Sequence, residues 1–264
     1  MINQNLHRQP VALDSNLHRN LKLRLPITDW TLATGLNAIF VAAAEFGDTC
    51  REFPIVFVKA GKEPDGSEAI APIAVFGLTQ NENLYVSGTR WRANYMPAVL
   101  RSYPFCIARL DDERFAVCFD SAWPGTSVLE GAPLFAEDGK PAELLTEITK
   151  HMENMEGEIQ RTRLVCSKLQ ELDLLRDMRF EAQIPGGQTF TVDGFFTVDE
   201  ARLNALPDAT LVDLQPSGRF LIAAGQLSNA VGVHAIDAAS GALTLRHELA
   251  VGRNPNWVEA IALA

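Results

Sequence analysis

The sequence predicts an α+β protein: a mixed, largely antiparallel sheet, a long helical region packed on it, and a β-rich C-terminal tail. Three observations carry this. In the first half, short apolar and β-branched runs sit between turn residues at the spacing of hairpins rather than of βαβ crossovers. Over residues 141–175 the apolar residues switch to a helical period. After Gln215, three more strand-like runs follow one another with turn signals between them.

The chain has 264 residues, 47% of them hydrophobic, enough for one large domain or two small ones with real cores. Its net charge of -10 repels phosphate backbones, which argues against a nucleic-acid partner. Cys50, Cys106, Cys118 and Cys166 form no CxxC pair, and His7, His18, His151, His234 and His247 are scattered. Neither a metal site nor a cofactor is therefore expected. The first twenty residues hold no apolar core of a secretory signal, and no run of 18 apolar residues offers a membrane span. A cytoplasmic location is expected, and free thiols suit it.

In order along the chain, residues 1–25 are polar and aperiodic, an arm able to pack on the body. "ATGLNAIFVAAAEF" reads as a buried helix or strand. "FPIVFVK" is a buried strand, "GKEPDGSE" a turn, and "IAPIAVFGL" a second strand, whose Pro72 marks an edge or a strand start. "NENLYVSG" is a short third strand. Asn94 can cap a helix starting at Tyr95, with Pro97 in its first turn and its end before Pro104. "PFCIARL" and "RFAVCFD" form a hairpin joined by "DDE". Asp138-Gly139 reads as a turn rather than part of a carboxylate pair with Asp120 or Glu137. Leu144, Leu145, Ile148, Met152, Met155, Ile159, Leu164, Leu169 and Leu172 then trace a helix stripe, and Gly157 either divides it or sits inside it. "MRFEAQI" and "TFTVDGFFTVD" are strands around an "IPGGQ" turn, and "DEARLNALPDATLVDLQ" makes one or two short helices split by Pro207.

Residues 88–110 concentrate arginines and aromatic rings in an acidic protein. Arg90, Trp91, Arg92, Tyr95, Arg101 and Tyr103 are the candidate ligand-binding residues: arginine supplies a bidentate fork, and the rings supply a stacking face. The competing reading makes the rings core and pairs the arginines with acids such as Asp111, Asp112 and Asp120. On helical geometry Tyr95 and Tyr103 fall on apolar sides, and Arg101 can reach water while its stem packs. Arg90 and Arg92 point opposite to Trp91 if that segment is extended. A Ser/His/Asp arrangement using His151 lacks a GxSxG elbow to anchor it. No catalytic residue is assigned.

"FPIVFVK", "VFGLTQNENLYVSGTRWRANYMPAVLRSYPFCIARLDD", "GAPLFAEDGKPAELL" and "GFFTVDEARLNALPDATLVDL" together resemble the SapC family, a bacterial group named for a gene near surface-layer protein genes and distinct from the peptide permease of the same name. The resemblance covers about residues 21–214. It implies a soluble domain linked to surface-layer biology, and it carries no established reaction. The expected role is a non-enzymatic binding or assembly factor whose partner is a protein or a small anionic or aromatic ligand. The alternative is a small-molecule enzyme with its pocket at residues 90–109. The tail, "PSGRFLIAAGQLSNAVGVHAIDAASGALTLRHELAVGRNPNWVEAIAL", departs from the family's helical ending and resembles one blade of a lactonase-type seven-bladed propeller. The expected division is a SapC-like domain over 1–215 and a dependent tail over 216–264.

One blade cannot close a ring. The tail is therefore expected neither to make an independent propeller nor to confer lactone hydrolysis. Turnover that disappears on deleting residues 216–264 would show that the tail is catalytic after all.

Overall fold

β-Branched and aromatic residues in the first half lie where a half-buried pleated surface can use them. The computed structural model describes residues 2–63, 66–110, 114–183 and 189–206, together with the strands 220–225, 230–236 and 243–250. By contacts the chain divides into two units, Met1–Thr197 and Val198–Ala264. The α+β class is seen directly, and every strand pair with a resolved register is antiparallel.

The main sheet has five strands. Leu175–Gln183 and Thr189–Val198 lie on one side of Ile55–Lys62, and Glu68–Val75 and then Ala38–Phe40 on the other. Pro72 sits inside Glu68–Val75, opposite Phe57, and so marks neither an edge strand nor a strand start. The ladder tolerates it because the outer strand's pairing stops at Phe40 opposite Ile73. Beyond that point Pro72 only accepts, from the Val41 N–H at 3.2 Å, and no ladder partner misses the proline's absent donor.

The helix stripe forms one uninterrupted helix, Glu143–Glu171, with Gly157 inside it. Leu145, Met152, Met155, Ile159, Thr162, Cys166 and Leu169 are buried at alternating three- and four-residue steps after the first turn. Leu164, read from the sequence as part of the stripe, faces solvent at 71% exposure, because the stripe passes through Thr162 and Cys166 instead. Thr162 is a buried polar residue with both of its needs met. Its hydroxyl accepts from the Ala43 N–H at 2.8 Å and donates to the Glu158 carbonyl at 2.7 Å.

A second layer is the three-stranded sheet Pro10–Ala12, Phe115–Asp120 and Phe105–Arg109. It contains the expected hairpin; the connecting residues 111–113 lie outside the described residues. Cys106 and Cys118 face each other across this hairpin, both buried and free. Burial pushes the Cys106 thiol up to about 12, so it stays protonated and packs as a small hydrophobe.

The N-terminal arm does pack on the body, and a buried carboxylate holds it there. Asp120 is fully buried. It accepts from the Arg8 N–H at 3.1 Å, the Gln9 N–H at 2.8 Å, the Ala122 N–H at 3.2 Å and the Tyr103 hydroxyl at 2.8 Å. Burial alone would raise its pKa, but these donors outweigh it and hold the group below the usual carboxylate range. His7 is buried beside it, 5.8 Å from the Tyr103 ring centroid, and burial keeps its imidazole neutral.

The expected helix from Tyr95 to Pro104 is shorter: only Ala98–Arg101 is helical. Asn94 does not cap it. The Glu52 carboxylate accepts the Asn94 N–H at 2.8 and 3.0 Å, and Glu45 Oε1 accepts the Ala98 N–H at 2.7 Å. A distant acid has taken over the capping role. The turn at Asp138-Gly139 is present, with Gly139 at φ 83° and the Asp138 carboxylate accepting from the Lys140 N–H. Helix Glu200–Asn204 and the antiparallel strands Phe220–Gly225, Ala230–Ile236 and Leu243–Ala250 also form where expected. The "IPGGQ" turn, Pro207 and position 215 lie outside the described residues.

Asp120→Asn keeps the size of the side chain but turns an N–H against donors. It is expected to cost about 1–3 kcal/mol, the penalty for leaving buried partners unsatisfied. The pH dependence has a definite sign. The folded pKa lies below the unfolded value of about 4, so the stabilisation is present above that pH and lost as pH falls through the folded value. Urea melts at pH 7 and pH 3 check this: the variant should lose less stability on acidification than the parent, and an equal loss would remove Asp120 from the role.

Candidate functional site

The six sequence candidates separate into three groups. Arg90 and Trp91 form the second strand of a small hairpin with Val86–Ser87, turned by Gly88 at φ 58°. Trp91 packs inward. Its ring lies 5.3 Å from Phe76, 6.1 Å from Phe53 and 6.1 Å from Tyr85, and its Nε1–H donates to the Tyr95 carbonyl at 2.9 Å. Arg90 and Arg92 are exposed on either side of it, as alternation in an extended segment requires.

Tyr95 is tied to Glu45, not to a ligand. Its hydroxyl donates to Glu45 Oε1 at 2.7 Å, and burial together with that carboxylate raises its pKa far above the ordinary phenol value. Tyr103 is buried at 5% exposure and donates to Asp120. Of the acids expected to neutralise the arginines, Asp120 takes backbone and phenol donors instead, and Asp111 and Asp112 lie outside the described residues. Arg109, further along the same segment, pairs with Glu156.

Arg101 and Tyr103 are the two candidates that line a cavity. It is a cleft of about 260 Å³ between the short helix and the first half of the long one. Leu25, Phe105, Leu144 and Ile148 make its apolar walls, and Arg101, Glu147 and His151 its polar rim. Arg101 is exposed and has no ion pair among the described residues. Its charge acts on His151: burial first, and Arg101 second, lower the histidine's pKa against a smaller opposing pull from Glu45. At neutral pH the imidazole is therefore uncharged.

The fold also brings together a pair that the sequence could not assemble. Ser102 Oγ lies 3.1 Å from His151 Nε2. Its hydroxyl hydrogen, however, is directed at the Ala98 carbonyl at 2.7 Å, the usual back-bond of a helical serine. The imidazole then donates to the serine rather than taking its proton. The nearby backbone N–H groups are also occupied. Those of Ser102, Tyr103 and Phe105 bond to the carbonyls of Ala98, Leu100 and Ser102. These three N–H groups therefore do not form an oxyanion hole beside Ser102.

Comparison with known proteins agrees with the main-unit reading. A family model described as SapC matches residues 13–230. The chain belongs to the SapC family. The match extends past the expected 21–214 at both ends, and it overlaps a second match, to a model described as Lactonase, 7-bladed beta-propeller, over residues 211–260. Among curated proteins, this SapC-family chain is 50% identical over 50 residues to a 6-phosphogluconolactonase of Sodalis glossinidius (strain morsitans), covering 19% of the chain and 15% of that relative. It is 40% identical over 76 residues to a 6-phosphogluconolactonase of Serratia proteamaculans (strain 568), covering 29% and 21%. The chain thus spans a small part of the length of these relatives. No solved structure matches it significantly. Among the described residues, no group of three or more metal-ligating side chains converges, and no helix is long and apolar enough to cross a membrane.

Trp91 and Arg101 have opposite expected roles. Trp91→Ala should cost about 3–5 kcal/mol, as for other packed aromatics, whereas Arg101→Ala should stay within about 0.5 kcal/mol, as for an exposed side chain. Thermal melts of the two variants decide it; a mild tryptophan variant beside a severe arginine variant would reverse the roles.

Proposed function

We propose that this SapC-family chain is a binding or assembly factor rather than a catalyst, that it serves bacterial surface-layer biology from the cytoplasm, and that its ligand site is the cleft beside Arg101. The ligand is a small anion with an apolar or aromatic body. Arg101 takes the anionic group as a bidentate fork, and Leu25, Phe105 and Ile148 take the body. The observation that carries the reading is Arg101 itself: a guanidinium without an ion pair among the described residues, at the rim of an apolar cleft, beside a histidine whose neutrality it helps to maintain. The surface-layer link rests on the family name and resemblance alone.

A second reading, a small-molecule enzyme, has the Ser102–His151 contact in its favour. The hydrogen bond from Ser102 to Ala98 and the occupied backbone N–H groups of Ser102, Tyr103 and Phe105 weigh against it.

Phenylacetate serves as the probe. It is expected to raise the melting temperature of the parent chain in a dose-dependent way and to lose most of that effect in Arg101→Met, which keeps the apolar stem. An equal shift in both proteins would overturn the site. Hydrolysis of a p-nitrophenyl ester, together with fluorophosphonate labelling, that Ser102→Ala abolishes would establish the enzyme reading instead.

A further inference from the structure

A second cavity also has Tyr103 in its wall. It has a volume of about 350 Å³, and its polar lining comes from Arg8, Arg24 and Asp29, with Trp123 and Tyr103 as aromatic walls. We propose that this pocket binds a hydroxylated anion, of the class of a sugar carrying one phosphate or carboxylate group.

The argument begins with how the two arginines are held. Arg8 follows a backbone fixed by Asp120, which accepts both its own N–H and that of Gln9. Trp123 hangs from the same residue, because its N–H bonds to the Asp120 carbonyl at 3.1 Å. Arg24 is fixed through Gly125, whose carbonyl accepts the Arg24 N–H at 2.9 Å. The indole lies so close over Gly125 that a Cβ there would fall 2.1 Å from a ring atom, so only glycine permits this wall. Two guanidinia thus reach one cavity from clamped backbones; the Arg24 side chain is also held by the Pro124 carbonyl, and the Arg8 side chain is the one that closes on a ligand.

The lining suits one anionic group with hydroxyl groups beside it. Arg24 donates to the Pro124 carbonyl, which holds its plane and leaves other N–H groups over. The Arg8 side chain has no hydrogen bond or ion pair among the described residues, and it is exposed. Asp29 receives both of its short bonds on one oxygen, from the Thr31 N–H at 2.9 Å and the Thr31 hydroxyl at 2.7 Å. Its second oxygen is left to accept from a ligand hydroxyl. The lining carries two cations and one anion, and the Asp120 carboxylate stands directly behind it on the Arg8 N–H and the Tyr103 hydroxyl, so what the guanidinia offer an anion is directed N–H donors rather than a net positive field. A bare inorganic anion would use the arginines and leave Asp29 repulsive. A neutral sugar would use Asp29 and the rings but leave two desolvated guanidinia. The anionic sugar uses all three.

Calorimetric titration of the full chain tests this with four probes: glucose 6-phosphate, glucuronate, inorganic phosphate and glucose. At least one of the first two should bind more tightly than phosphate or glucose, and which one it is tells phosphate from carboxylate. Arg8→Ala should weaken that probe about tenfold or more, the scale of one lost charged hydrogen bond, at an unchanged melting temperature. Asp29→Asn should weaken it but leave inorganic phosphate unaffected. Arg101→Met should change nothing here, which separates this pocket from the Arg101 cleft. Four silent titrations, or a binding constant that Arg8→Ala leaves untouched, would overturn the proposal. Phosphate binding as tightly as both sugar acids would overturn its hydroxyl part.

Discussion

The Asp120 carboxylate is the constraint on which the N-terminal half of the fold depends. It is fully buried, and four donors from three separate parts of the chain converge on it. Burying a charge is costly unless every lone pair is used. Here the donors over-compensate, as the lowered pKa records. A polar arm with no periodicity of its own thereby becomes part of the body. The arm contributes Leu6 and Leu23 to the core, and its residues Pro10–Ala12 become the third strand of a sheet that would otherwise be a bare hairpin.

Glu45 repeats this logic on the other face of the molecule. One oxygen accepts the Ala42 N–H at 3.0 Å; the other accepts both the Tyr95 hydroxyl and the Ala98 N–H. A single side chain therefore caps its own helical turn and the start of the short helix, and it fixes the tyrosine between them. Arg101 owes its position to this arrangement, since it ends a helix of four residues, too short to persist without a cap and tertiary contacts. The arginine is thus presented by an acid 56 residues earlier in the chain.

What the sequence made legible follows from the range of the interactions involved. Residues 55–62, the hairpin of 105–109 with 115–120, and the long helix were readable because their signals are local: alternation, turn residues and a three-to-four period. Even there the stripe was misread at Leu164, where a leucine lies off the buried face and a threonine on it, because Thr162 satisfies its hydroxyl through Ala43, 119 residues away. The inward packing of Trp91 was readable from alternation. The true cap of Ala98 was not, because its acceptor lies 53 residues off, and neither was the meeting of Ser102 with His151, 49 residues apart. Asn94 was a good local cap candidate, and it lost to two acids that no local pattern names. Arg8 and Arg24, which line the second cavity, carry no local signal at all: they stand in an aperiodic arm, and only the bonds to Asp120 and Gly125 make them neighbours.

Tyr103 connects the two cavities. Its ring lines both the cleft beside Arg101 and the pocket of Arg8 and Arg24, with its hydroxyl anchored to Asp120 between them. A wall shared in this way cannot move toward one cavity without withdrawing from the other, and the 2.8 Å bond to a buried carboxylate opposes either movement. The ring also contacts His7 and Trp123 edgewise or by stacking, at 5.8 and 6.2 Å between centroids, so it is held from several directions. The same carboxylate that recruits the arm therefore also fixes the wall that the two cavities share.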